Sequence, residues 1–132
     1  MSGLDINEIT DGINAITAEY REHAYDTLRL KDMRADLSVL VTQLGDYAGG
    51  ILEESIMAEY ERKSAEAEQY SLLRKTHGAT DSDRMVVTKV RAEYEHEALY
   101  KGMYKKLENQ RQGIMQILHS MASKLKENGE QA

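Results

Sequence analysis

Glu93 and His96 stand three residues apart, the spacing that supplies half of a carboxylate-bridged di-iron site on a helix. Such a site needs a second Glu-x-x-His and two further Glu facing it. At that spacing Tyr20 precedes His23, Arg74 precedes His77 and Gln116 precedes His119. One half-site is no site, so the sequence predicts no metal and no cofactor. The chain has no Cys, which excludes thiol catalysis, disulfide frameworks and Cys-rich zinc sites. No Ser sits in a Gly-x-Ser-x-Gly setting, and the glycines follow neither a phosphate-loop nor a dinucleotide-binding order. Carboxylates are abundant, but on helix faces these are usually solvated charges. The expectation is a non-enzyme.

Cations offer a different chemistry. The chain carries 17 Lys+Arg against 23 Asp+Glu, for a net charge of −6. The charge is unevenly spread. Residues 1–68 are strongly acidic and residues 92–132 are balanced. Residues 69–91 hold Arg74, Lys75, Arg84, Lys89 and Arg91 against Asp81 and Asp83. Tyr70 and Tyr94 flank that basic stretch, and cations beside aromatic rings suit single-stranded nucleic acid. A second basic run, Lys101, Lys105, Lys106 and Arg111, is expected to pair with the acidic face that holds Glu53, Glu54, Glu59 and Glu61.

The elements that position these residues are helices. The 132 residues make one domain's worth of chain, and the absence of Pro permits long helices. Leu4, Ile6, Ile9, Ile13, Ile16 and Tyr20 give a short amphipathic stripe, an N-terminal helix within 1–24. Leu30, Met33, Leu37, Leu40, Val41 and Leu44 form a second stripe. After Gly49-Gly50 a third follows through Ile51, Leu52, Ile56, Tyr60, Ala67, Tyr70 and Leu73. Residues 28–76 are therefore one long helix kinked at the two glycines, or two helices. Residues 77–82 read as a loop, with Gly78 ending the helix in the left-handed conformation and Thr80 capping the next. Residues 83–127 read as one continuous helix. Ile114, Leu118, Met121 and Leu125 repeat with heptad spacing there, a stripe suited to subunit contact. Gly102 and Gly113 are expected to mark close helix approach, and Asn128 to Ala132 a frayed end. The first ten residues are acidic and lack the order of a signal peptide, and no apolar run reaches the ~20 residues of a membrane span. A cytoplasmic protein with no membrane partner is expected.

Three features together resemble the small phage recombination mediator proteins of the UvsY-like kind. A long helix ends in Glu61-Arg62-Lys63-Ser64-Ala65-Glu66-Ala67-Glu68-Gln69-Tyr70. A short polar loop with Gly and Asp follows, His77 to Asp83. A helix then opens with basic residues and runs past Tyr94 and Tyr100 to an amphipathic C-terminal part. The likeness is architectural and spans roughly Met33 to Lys126. It implies a ring-forming helical protein that binds single-stranded DNA and helps a recombinase displace single-strand-binding protein. The family's DNA contacts lie near the end of the helix before the loop. Ala67 and Gln69 stand here where basic residues belong, while Arg62, Lys63, Arg74 and Lys75 lie on either side. The resemblance thus assigns DNA contact to Arg62, Lys63, Arg74, Lys75, Arg84 and Lys89.

The combined expectation is an all-α, elongated antiparallel helical hairpin with an additional N-terminal helix, oligomeric, acting as a DNA-recombination accessory protein. Its partners would be single-stranded DNA, a recombinase, single-strand-binding protein and copies of itself. The rival expectation is a structural or adaptor coiled-coil protein (scaffold, chaperone or assembly factor) that ignores nucleic acid. The acidic first half fits the rival.

Overall fold

The computed structural model describes residues 5–129; Leu4 and the last residues of the expected frayed end, Glu130 to Ala132, lie outside them. Four helices follow in order: α1 (Ile6–His23), α2 (Thr27–Leu73), α3 (Ala79–Lys89) and α4 (Arg91–Glu127). The protein is all-α, with no strand among the described residues. Asp5 caps α1 by accepting the Glu8 backbone N–H at 2.8 Å. Asp26 caps α2 through the Arg29 N–H at 3.3 Å. Nothing in the 47 residues of α2 removes a backbone donor, and the helix passes through Gly49-Gly50 without interruption.

The chain divides into two compact units, one of residues 1–48 with 107–132 and one of residues 49–106. The first unit has an apolar core. Ile9 and Ile13 of α1, Leu30, Met33, Leu37, Val41, Leu44 and Ala48 of α2, and Leu107, Ile114, Met121 and Leu125 of α4 are all buried. The steps of three and four residues keep each set on one helix face. Gly12 is the close-approach glycine here: a Cβ on it would stand 3.0 Å from Leu40 Cδ1. Tyr20 and Ser120 hydroxyls hydrogen-bond at 2.6 Å, and Arg29 pairs with Glu19 at 3.0 Å.

Several sequence expectations need correction. Ile114, Met121 and Leu125 are buried inside this unit, and Leu118 is half-buried, lining a groove of about 460 Å³ with Val41 and Met115. The chain's own α1 and α2 supply the apolar surface in this unit, so the heptad stripe is spent within one subunit. Gly102 and Gly113 have no heavy atom within 4 Å of where a Cβ would be, so neither marks a close approach. Gly78 is extended (φ −71°, ψ 166°) and is the N-cap of α3, displacing Thr80 from that role. The C-terminus of α2 is tied off without a left-handed residue. The Leu73 carbonyl accepts the backbone N–H of Thr76 and of His77, and Arg74 Nη1 donates to the His77 carbonyl. The helix expected over 83–127 is two helices. Their junction, Val90, leaves helical geometry (φ −111°, ψ 26°) while Val90 N–H still reaches the Val86 carbonyl. Val90 is buried with Leu73 and Val86, packed by Ala65, Tyr70, Met85 and Tyr94, so the junction seats both α3 and α4 on the end of α2.

Candidate nucleic-acid interface

The second unit holds all six residues assigned to DNA contact. Arg62 lies on the face of α2 that carries Ser55 and Ala58, both buried. Its guanidinium forks onto Glu97, Nε to Oε1 at 2.8 Å and Nη2 to Oε2 at 3.2 Å, the bidentate geometry that makes such pairs strong. Nη1 also donates to Glu66 at 3.1 Å. The guanidinium stands 5.2 Å from the centroid of the Tyr94 ring, and the Tyr94 hydroxyl donates to Glu66. Lys101 adds bonds of 2.9 Å to Glu97 and 2.8 Å to Glu59, and Glu59 in turn meets Lys63 at 3.5 Å.

The result is a chain of three cations and three carboxylates, running from Glu66 to Lys63 and electrically neutral. Glu97, only 6% exposed, is held down at about 2 by its hydrogen bonds to Arg62 and then Lys101, against the opposing effect of burial. The same bond to Glu97 raises Arg62. Glu59 is lowered by Lys101, and Tyr94 is raised by its bond to Glu66. The partners retreat along α4 as α2 advances, Glu59 with Lys101, Arg62 with Glu97 and Glu66 with Tyr94. The two segments therefore run in opposite directions at this place.

Arg62 is thus turned inward and committed to carboxylates, which corrects its assignment to DNA contact. Lys63 is exposed but shares Glu59. Arg74, Lys75, Arg84 and Lys89 are exposed, and none of the four has a carboxylate within ion-pair distance among the described residues. Arg74 and Lys75 sit together just beyond α2. Arg84 and Lys89 do not share a face: five residues at ~100° each separate them by about 140° around α3. Tyr70 and Tyr94 do come together, as walls of a groove of about 440 Å³ with Ala67, Val86 and Val87. Lys63 lines it too, as do two carboxylates, Glu66 and Asp83.

Of the second basic run, Lys101 reaches the acidic face as expected, whereas Arg111 bonds to Glu108 on its own helix. Lys105 and Lys106 are exposed with no ion pair among the described residues. The network was partly announced by i,i+4 spacings, Glu59–Lys63, Arg62–Glu66 and Glu97–Lys101. His96 packs edge-on against Tyr100 with centroids 4.9 Å apart. Among the described residues no three His, Asp or Glu gather in a way that would hold a metal ion. No helix among them is long and apolar enough to cross a membrane. No family model, curated protein or solved structure matches this chain.

Proposed function

We propose that this chain is a recombination accessory protein of phage type, which binds single-stranded DNA as an oligomer in the host cytoplasm and helps load a recombinase in place of single-strand-binding protein. The supporting observation is the set of exposed cations Arg74, Lys75, Arg84 and Lys89, without a carboxylate partner among the described residues, in the unit that also holds the groove walled by Tyr70 and Tyr94. Phosphates would meet the four cations, and a base would stack on Tyr70, whose ring, among the described residues, is not engaged by a cation as that of Tyr94 is. The elongated antiparallel hairpin belongs to the same reading: Arg74 and Lys75 follow the end of α2, Arg84 and Lys89 lie on α3, and the remaining helix length is left for subunit contact.

Such binding is sequence-independent and weakens with salt, by ~0.7 logarithmic units per phosphate contact for each tenfold rise in salt. Fluorescence anisotropy of a labelled oligonucleotide at two salt concentrations tests it. Binding that falls with salt and is lost when Arg74, Lys75 and Arg84 become Glu is the expected outcome. A well-formed protein that ignores the oligonucleotide at low salt rejects it.

A structural or adaptor role is the second reading. It is favoured by large apolar side chains left exposed on the second unit, Ile56, Met57, Tyr60 and Leu99. A protein partner binding while DNA does not would establish it.

A further inference from the structure

The second unit carries two outward surfaces of like apolarity and opposite charge. On α2, Leu52, Ile56 and Tyr60 follow one another at four-residue steps and are exposed, Ile56 at 58% and Tyr60 at 68%, with Met57 beside them at 54%. They lie about a third of a turn from the face of Ile51, Ser55 and Ala58 that is buried. Glu53 borders them, about 60° round the helix from Ile56, exposed and without an ion pair among the described residues. On α4, Leu99 is exposed at 58% next to Gly102, whose missing Cβ faces nothing within 4 Å. Lys106 borders that surface, likewise unpaired among the described residues.

We infer that the Leu52–Ile56–Tyr60 face of α2 docks onto the Leu99–Gly102–Lys106 face of α4 in a second copy of this chain. The two surfaces cannot meet within one chain, because the inner faces of the same two segments are held together by the Arg62–Glu97 fork. Charge selects the orientation. An antiparallel approach sets Glu53 against Lys106, Tyr60 over Leu99, and Ile56 into the space left by Gly102. A parallel approach that keeps Tyr60 over Leu99 takes Glu53 away from Lys106 and sets Ile56 against Glu95. In the antiparallel register Glu53 meets Lys106 and Tyr60 meets Leu99, the same alignment by which Glu59 meets Lys101 within the chain. Successive copies are then related by rotation with little shift along the helices, the relation that closes a ring where the rotation divides a full turn. Apolar area and charge are complementary, the combination that gives both affinity and specificity.

The inference rests on the oligomeric part of the proposed function, and light scattering on the full chain separates the two. The expected result is one discrete oligomer. Ile56→Glu and Tyr60→Glu should each weaken its assembly about tenfold or more while leaving the helical circular dichroism intact. Glu53→Lys or Lys106→Glu should weaken it as well. Combining both reversals should restore it. If a face variant lowers helicity, the charge reversals at fully exposed positions decide alone. A wild-type chain that stays monomeric over a wide concentration range overturns this surface and the oligomeric reading together. An oligomer indifferent to Ile56→Glu, or a double reversal that does not restore assembly, overturns this surface only.

Discussion

Glu97 is the residue on which the second unit's charge network turns. Its carboxylate accepts from both Arg62 and Lys101 and is nearly sealed from water. A group held at about 2 in the fold and near 4.5 in the unfolded chain is stabilising at and above the higher value. That contribution is lost as pH falls from about 4.5 towards 2, where the folded carboxyl takes up its proton. Thermal melts followed by circular dichroism across this range should show the midpoint of the wild type falling more steeply than that of Glu97→Gln. At neutral pH, Glu97→Leu should lower the midpoint because Arg62 is left without its fork. Arg62→Met combined with Glu97→Leu should recover most of the loss, since an apolar pair replaces a buried ion pair at little or no cost. The pairs along one helix are legible in the sequence by their i,i+4 spacing. The fork from Arg62 to Glu97 is not, because it depends on which α4 residue stands opposite, and that is set by tertiary packing.

At the scale of elements, α1 and α2 carry the apolar repeats of the sequence, and with no Pro in it α2 runs for 47 residues. Periodicity was less informative where a helix carries two apolar faces. In α2 beyond Ala48, the series Leu52, Ile56, Tyr60 looks like core, yet Ile51, Ser55 and Ala58 are buried. Small residues at 55 and 58 leave room for the Arg62 network, and the bulky series is left outside. The break at Val90 had no Gly or Pro to announce it; it follows from burying Val90 against Leu73 and Val86. Gly49 and Gly50 lie inside α2 and face open space. Gly50→Ala should therefore stabilise the chain by about 0.5–1 kcal/mol through reduced unfolded-state entropy and better helix propensity. Urea titration followed by circular dichroism measures this directly.

For the whole molecule, charge is the property that the sequence states most plainly. An acidic chain with one basic stretch at residues 69–91 keeps that stretch exposed on one unit. What the sequence does not state is how few of the assigned cations are available. Arg62 is enclosed and Lys63 is shared, so the salt dependence of DNA binding should reflect Arg74, Lys75, Arg84 and Lys89 alone. A slope of log affinity against log salt near that for four phosphate contacts per subunit, about −3, is expected from ~0.7 per contact. A much steeper slope would point to cations elsewhere. Lys106, on the Leu99 face of α4, is assigned to the neighbouring copy.

The division of labour between the two cores has a kinetic corollary. One is aliphatic and draws on three helices; the other is built around ion pairs with only a small apolar cluster at its end. Free energy of local opening follows buried apolar contact, so amide protons over 49–106 should exchange with solvent faster than those at Leu37, Leu44 or Met121. Hydrogen exchange read by mass spectrometry would resolve the two as separate cooperative steps. The cations proposed to meet DNA then belong to the step that opens first, and a bound strand should slow exchange there selectively.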